Sequence, residues 1–229
     1  MNLESSRGER APVRPDGGIV NSQEALAKIV EGVRRFQAEV YPAQRAMFEA
    51  LRARQQPMAL FITCADSRVV PNLFTQTGPG DFFVERNPGN IVPEYSEFIG
   101  GVSSGVEYAM LALKVPLVII CGHTDCGVMK SLLHSEQVEG LPAVKQWMQY
   151  ASAARDRVAH EHGNASDEEK LRRITEYNVL TQIGNLKSHP SVSARIASGE
   201  VEIRGWVYDI GDGSIWAADP GSGEFQHLT

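Results

Sequence analysis

Two short apolar segments constrain the fold of this chain more than any other feature. Residues 58–63 and 115–121 are almost wholly apolar, which is typical of strands buried on both faces of a parallel sheet. Residues 82–86 form a further short strand candidate, and residues 102–113 have the apolar spacing of a helix that leads back to the second segment. Strand, helix and strand in this order predict an α/β fold with a mainly parallel central β-sheet flanked by helices.

Charged side chains and potential metal ligands follow the two apolar segments. Cys64, Asp66 and Arg68 come directly after the first, and His123 and Cys126 come after the second. Open α/β sheets hold their ligands at the carboxyl ends of the strands. If the two strands are near neighbours, the two cysteines and the histidine converge on one ion. The alternative interpretation is two buried, inert cysteines beside a core histidine.

The types of these side chains favour zinc. Thiolate and imidazole are ligands that Zn²⁺ prefers, and a catalytic zinc keeps one of its positions open. Because Cys64, His123 and Cys126 supply only three ligands, the fourth position is left for water or for a nearby carboxylate, of which Asp66 is the obvious one. A bidentate pair with Arg68 would keep Asp66 ionised and oriented, although the pair could also be purely structural. We predict one Zn²⁺ per chain.

The spacing Cys64-x-Asp66-x-Arg68 followed by His123-x-x-Cys126 resembles the β-class carbonic anhydrases. The similarity extends over about residues 25–215 and includes Gln55-x-Pro57, Phe83-Val-x-Arg86-Asn87, Tyr108 and Gly205-Trp-Val-Tyr-Asp209. Residues 61–95 are most similar to the bacterial branch that includes the cyanate-operon enzymes. The resemblance implies the three-layer α/β fold of that family.

The resemblance also implies a reaction, the reversible zinc-dependent hydration of CO₂ to bicarbonate and a proton. In this interpretation a zinc-bound hydroxide attacks CO₂, and Asp66, held by Arg68, orients that hydroxide. Released from Arg68, Asp66 would instead occupy the fourth zinc position and close the site, which is a hypothesis for this chain. Phe61 stands where the gated members of the family have a tryptophan, which favours a site that is open at neutral pH.

The family's substrate pocket is small and apolar. By resemblance, Phe83 and Tyr108 line it and Gln55 donates a hydrogen bond to a substrate oxygen, although Phe83 and Tyr108 could simply be core residues. Pro88 replaces the small aliphatic residue that the family usually has there. Because some pocket residues of the family come from the partner subunit, we expect a homodimer or a dimer of dimers with the active site near the subunit interface.

Three other functions are compatible with parts of this pattern. A hydrolase of CS₂ or COS would use the same zinc ligands and would differ in pocket access and assembly. A non-catalytic zinc-binding module would have a closed fourth position and would not depend on Arg68. A Cys-dependent phosphatase or sulfurtransferase is disfavoured, because Cys64 and Arg68 are too close in sequence for the intervening N–H groups to surround an oxyanion.

The composition limits the possible partners and location. With 229 residues, 42% of them hydrophobic and 22% charged, the chain has the composition of one ordinary globular protein. Its net charge of −6 argues against a nucleic-acid surface, and no apolar run approaches the ~20 residues of a membrane-spanning helix. The odd number of cysteines implies no disulfide framework, so we expect a cytoplasmic protein. Cys121 lies inside an apolar segment and is predicted to be plain core.

The chain is predicted to have two parts. Residues 1–20 contain several Arg, Pro and Gly residues and are expected to form a flexible N-terminal arm. Residues 21–229 are expected to form a single catalytic domain, which begins with a helical arm. In this arm the apolar side chains at positions 26, 29, 30, 33 and 36 form one stripe, which would pack on the same domain or on a second subunit.

Overall fold

The computed structural model describes residues 21–96 and 100–228, so the predicted arm of residues 1–20 lies outside the described residues. The chain divides into two compact units with a boundary between Arg54 and Gln55. That residues 21–229 act as one catalytic domain stays a prediction. None of the helices in the described part of the chain combines the length and the apolar character needed to cross a membrane.

The N-terminal unit is mostly helical in its described residues. Helix α1 (Ser22–Arg35) continues through a π-helical turn (Phe36–Val40) into α2 (Tyr41–Ala43) and α3 (Arg45–Ala53). Asn21 is the N-cap of α1. Its Oδ1 accepts a hydrogen bond from the Glu24 amide at 3.0 Å, which satisfies one of the free N–H groups of the first turn. The rings of Phe36, Tyr41 and Phe48 contact one another, with centroids 5.0–6.1 Å apart.

The second unit is built on one six-stranded sheet with the order β2-β1-β3-β4-β5-β6. The strands are β1 (Ala59–Cys64), β2 (Phe82–Asn87), β3 (Leu117–His123), β4 (Glu202–Tyr208), β5 (Ile215–Ala218) and β6 (Phe225–His227). The pairs among β2, β1, β3 and β4 are parallel, and those of β4 with β5 and of β5 with β6 are antiparallel. The predicted α/β fold with a mainly parallel sheet is therefore confirmed.

Helices and short helical turns connect the strands. The helices are α4 (Pro71–Phe74), α5 (Gly101–Glu107), α6 (Gly127–Leu133), α7 (Pro142–Trp147), α8 (Ser152–His162), α9 (Asp167–Lys187) and α10 (Pro190–Ala197). A π-helical turn (Tyr108–Ala112) extends α5, and 3₁₀ turns are formed by Pro88–Asn90, Ser135–Val138 and Met148–Ala151. Ser166 caps α9, because its Oγ accepts a hydrogen bond from the Glu169 amide at 3.2 Å.

The two faces of the sheet bury different side chains. Leu60 and Ile62 of β1 belong to a large aliphatic core that also includes Val179 of α9. On the opposite face Phe61 and Cys121 pack with the aromatic side chains of Phe74, Phe82, Trp206 and Tyr208. Cys121 is therefore a core residue, as predicted, and burial raises the pKa of its thiol to about 12. With apolar side chains on both faces, β1 is buried along its whole length.

The close approach of α9 to β4 generates a prediction about stability. A methyl group added at Gly205 of β4 would lie 2.8 Å from Val179 Cγ1 and 2.9 Å from Ile183 Cδ1, so we expect Gly205→Ala to destabilise the fold by about 1–3 kcal/mol through overpacking. Gly184 of α9 has no such neighbour among the described atoms. Gly184→Ala should therefore stabilise by up to about 1 kcal/mol through helix propensity.

The measurement is the urea midpoint of both variants beside the unsubstituted protein. An unchanged midpoint for Gly205→Ala would contradict the close packing of α9 on the sheet.

Candidate metal centre

The pairing of β1 with β3 brings three potential metal ligands together. Thr63 is the partner of Cys121 in this parallel pair, and Cys64 and His123 are the last residues of their strands. Cys126 immediately precedes α6. The two sulfurs and one imidazole nitrogen lie within 4.8 Å of one another, and all three residues are buried. Since the ligands of a tetrahedral ion stand about 4 Å apart, these atoms can share one metal ion.

The His123 ring is oriented for metal binding. Its Nδ1 lies 2.8 Å from the Thr124 carbonyl oxygen, so the proton resides on Nδ1, which donates to that oxygen. Nε2 then carries the free lone pair, and it is buried without a hydrogen-bond partner among the described residues. A buried polar atom without a partner is costly, and a metal ion would satisfy it. The carbonyl of Thr124 is the kind of outer acceptor that metal-binding histidines usually have.

A hydrogen bond between the two sulfurs shifts the pKa values of their thiols in opposite directions. A hydrogen bond from Cys126 lowers the pKa of the Cys64 thiol, and the same bond together with burial raises the pKa of Cys126. Gly89 N–H donates a further hydrogen bond to Cys64 Sγ at 3.3 Å. A metal ion that displaces the remaining thiol proton would bind two thiolates and one neutral imidazole. This donor set fits a soft or borderline transition-metal ion.

A carboxylate lies beside the three ligands and is held by an arginine. Arg68 donates from Nε to Asp66 Oδ1 at 3.0 Å and from Nη2 to Oδ2 at 2.8 Å, and its backbone N–H also reaches Oδ1 at 2.9 Å. These hydrogen bonds hold the pKa of Asp66 well below its usual range. Asp66 Oδ2 lies 4.0 Å from His123 Nε2. An oriented, ionised carboxylate therefore stands next to the metal position.

Arg68 has a second carboxylate partner that the sequence did not reveal. Its Nη1 donates to Asp125 Oδ2 at 2.8 Å, and its Nη2 lies 3.3 Å from the Asp125 carbonyl oxygen. Asp125 also forms an ion pair with Lys130 of α6. The hydrogen bond from Lys130, and after it the one from Arg68, lowers the pKa of the Asp125 carboxyl. Asp125 lies between the ligands His123 and Cys126, which was a positional signal, but nothing in the sequence paired it with Arg68.

Arg86 of β2 holds the loop that follows Cys64. Its guanidinium donates to the carbonyl oxygens of Cys64 at 2.9 and 3.1 Å, of Asp66 at 2.8 Å and of Val69 at 2.8 Å. These hydrogen bonds satisfy carbonyl groups at and beyond the end of β1. They fix the backbone that carries the Cys64 and Asp66 side chains. The sequence resemblance included Arg86 but supplied no role for it.

The predicted pocket residues occupy another part of the sheet. Phe83 pairs with Leu60, which precedes Cys64 by four positions, or about 13 Å along the strand. Its ring centroid lies 5.8 Å from that of Tyr108, which is 48% exposed. Gln55 is exposed and precedes β1. The structure therefore brings Phe83 and Tyr108 together, but at a distance from the metal ligands of the same chain.

Phe61 packs away from the candidate metal. Side chains alternate between the faces of a strand, so Phe61 and Cys64 point to opposite faces of β1. The Phe61 ring lies 5.1 Å from that of Phe82 and 6.1 Å from those of Phe74 and Trp206. Its role in this structure is core packing.

The known proteins that this chain resembles are carbonic anhydrases. The family model described as carbonic anhydrase matches residues 59–215. The chain is 47% identical to "Carbonic anhydrase" of Pseudomonas aeruginosa and 44% identical to "Carbonic anhydrase 1" of Escherichia coli O157:H7, in each case over 89% of this chain and 92% of the relative. The solved structure of the β-carbonic anhydrase CcaA matches with a TM-score of 0.86 and 36% identity, over 89% of this chain and all of that one.

The chain belongs to the β-class carbonic anhydrases. Membership of this family of lyases makes it an enzyme. A second similar β-carbonic anhydrase, from Sordaria macrospora, is described as tetrameric and matches with a TM-score of 0.74 and 27% identity, over 89% of this chain and 96% of that one. The resemblance to the cyanate-operon branch stays a prediction.

The geometry of the centre generates a prediction about metal content. We expect Cys64→Ala to abolish stoichiometric metal binding, because it removes one of the three converging donors. The matched control is Cys121→Ala, which removes a sulfur that packs on the opposite face of the sheet and should keep one metal per chain. The measurement is elemental analysis of the purified, buffer-exchanged proteins. Full metal content in Cys64→Ala would contradict this centre.

Proposed function

We propose that the enzyme binds one Zn²⁺ per chain through Cys64, His123 and Cys126 and hydrates CO₂ reversibly to bicarbonate and a proton. The observation that carries the proposal is the partnerless His123 Nε2 beside two sulfurs, with the ionised Asp66 carboxylate 4.0 Å away. Two cysteines and one histidine are a ligand set that Zn²⁺ favours in sites that keep a position open. The names of the relatives support the reaction.

Bound zinc would supply Lewis acidity that activates a water molecule for attack on CO₂. Asp66 would accept a hydrogen bond from that water and so fix its orientation. Because Arg68 holds the pKa of Asp66 well below its usual range, the carboxylate stays an acceptor at neutral pH and does not store the proton. The proton released by the reaction must therefore pass to another group or to buffer.

The second partner of Arg68 makes the orientation of Asp66 more robust. Arg68 is 45% exposed, and an exposed ion pair alone would restrain it weakly. Bonds to Asp66 from one side and to Asp125 from the other leave the guanidinium little freedom. If Asp66 turned to the metal and closed the site, Arg68 would keep Asp125 as a partner. Closure by Asp66 remains a hypothesis for this chain.

We propose that the substrate pocket is completed by a second copy of the chain, in a homodimer or a dimer of dimers. Phe83 lies about 13 Å along the sheet from Cys64, and the Tyr108 ring contacts Phe83, so this pair is better placed to serve a neighbouring metal centre than its own. The helical arm offers exposed apolar side chains, among them Leu26 and Ile29 with exposures of 62% and 63%. Gln55 would donate to substrate in the same composite pocket.

Two other functions remain as alternatives on this scaffold. A CS₂ or COS hydrolase would use the same ligands, and activity measurements on each substrate would distinguish it. A non-catalytic zinc module requires a closed fourth position, whereas the Asp66 carboxylate is engaged by Arg68, which favours catalysis. Three free cysteines are compatible with the reducing cytoplasm that we propose as the location.

The role of Asp66 can be tested by an isosteric change. We expect Asp66→Asn to lower kcat/KM for CO₂ hydration by about 10²-fold or more, because an amide neither carries the charge nor accepts in the same way, while the metal content is unchanged. Asp156→Asn is the control, since Asp156 pairs with its neighbour Arg155 on the exposed side of α8. Stopped-flow hydration at neutral and alkaline pH is the measurement. A fully active, metal-loaded Asp66→Asn would refute the proposed role.

The composite pocket can be tested by mixing two inactive variants. Asp66→Asn inactivates the metal centre of the chain that carries it. Gln55→Ala removes the hydrogen bond that this chain would donate to substrate at the partner's metal centre. After the subunits are exchanged at equal amounts, a symmetric dimer gains one intact site in half of its molecules, so about a quarter of the normal activity should return. No recovery, although mass spectrometry shows mixed dimers, would mean that Gln55 and Asp66 serve the same chain's site.

A further inference from the structure

Both polar groups of the peptide between Pro88 and Gly89 form hydrogen bonds to side chains. Its N–H, which belongs to Gly89, donates to Cys64 Sγ at 3.3 Å. Its carbonyl oxygen, which belongs to Pro88, accepts a hydrogen bond from Trp147 Nε1 at 2.9 Å. Because a peptide group is a rigid plane, the indole that orients the carbonyl also orients the N–H toward the sulfur.

This peptide has an alternative orientation that the turn itself would permit. Gly89 follows Pro88 and has φ +80° and ψ +18°, which are close to the values of the third residue of a type II turn. Rotation of the central peptide converts a type II turn into a type I turn. Here the rotation would remove the N–H from Cys64 and turn the Pro88 carbonyl oxygen toward the sulfur, which would repel it.

The neighbouring groups fix the rest of the turn. A Cβ atom at Gly89 would lie 2.9 Å from Val128 Cγ1, so the loop packs directly on α6. The Gly89 carbonyl accepts a hydrogen bond from Asn178 Nδ2 at 3.0 Å, and Asn178 Oδ1 in turn accepts one from Gln182 Nε2 at 2.9 Å. Trp147 is thus the side chain that holds the one peptide plane whose rotation would break the bond to Cys64.

We propose that Trp147 is a positioning residue of the metal centre. Through the Pro88–Gly89 peptide it keeps an N–H···S hydrogen bond on Cys64, and this bond moderates the electron donation of the Cys64 thiolate to the metal. Groups that hydrogen-bond to a metal ligand tune its donor strength and orientation. The inference rests on the proposed metal function, and it adds a residue from α7 that is remote in sequence from the ligands.

The test uses Trp147→Phe, which retains an aromatic ring and removes the indole N–H. Both proteins are loaded with Co²⁺, whose thiolate-to-metal charge-transfer absorption reports on the sulfur donors. We expect the band to move to lower energy in the variant, because a thiolate without its hydrogen bond is a stronger donor. We also expect the metal affinity, measured by competition with a chelator, to change by about tenfold or more.

Two controls separate the hydrogen bond from packing. Tyr150→Leu removes the ring whose centroid lies 5.6 Å from that of Trp147 and leaves the indole N–H in place. Trp216→Phe removes an exposed indole on β5. Both controls should retain the band and affinity of the unsubstituted protein. A band shift in Tyr150→Leu equal to that in Trp147→Phe would mean that packing is responsible, and the proposal would fail.

The remaining outcomes are also decisive. Identical absorption and affinity in Trp147→Phe and the unsubstituted protein would overturn the role of Trp147. If the unsubstituted protein gave no thiolate-to-cobalt band at all, the proposed metal function would fail instead. If Trp147→Phe did not fold, the unsubstituted protein loaded with cadmium-113 would still provide a test, because the Gly89 amide proton should couple to the metal through the sulfur. Absence of that coupling would overturn the proposal.

Discussion

The parallel pairing of β1 with β3 is the interaction on which the candidate metal centre depends. It aligns Thr63 with Cys121 and so ends both strands at the edge where Cys64 and His123 meet. A slip of one residue would turn every side chain of a strand to the other face of the sheet. The aliphatic side chains of β1 and β3 that face α9, such as Ile62, would then leave the core. The hydrophobic core and the ligand geometry are consequently specified by the same register.

The charged side chains around the centre contribute orientation more than stability. Asp66, Arg68, Asp125 and Lys130 form a row of alternating charges that links the loops after β1 and β3. Arg68, Asp125 and Lys130 are each 39–50% exposed, and pairs in such positions contribute only about 0–1 kcal/mol. The bidentate geometry of Arg68 on Asp66 is what matters, because it sets the direction of a carboxylate next to the metal position.

The sequence predicted the parts of this structure that are encoded locally. Continuous apolar runs identify buried strands, and potential metal ligands at their ends can be recognised without tertiary information. The five residues of the predicted centre could therefore be named from the sequence. The roles of Asp125, Arg86 and Trp147 could not be predicted, because each depends on a hydrogen bond between segments that are distant in sequence. The three-residue strand β6 has no apolar run of its own and was missed. Phe83 and Tyr108 were predicted as pocket residues from the resemblance, and the structure places Phe83 away from the candidate ligands of its own chain.

Hydrogen bonds that involve backbone groups orient the candidate ligands. The Thr124 carbonyl orients the His123 ring, and the Gly89 N–H donates to the Cys64 sulfur. The loop after β1 is held because its carbonyl oxygens accept hydrogen bonds from Arg86. Two residues of the loops beside the ligands adopt left-handed conformations, Gly89 at φ +80° and Asp125 at φ +62°. Such conformations are costly for most residues, whereas glycine and aspartate adopt them more easily. The residue types in these loops are therefore constrained by the backbone even where the side chain has no chemical role.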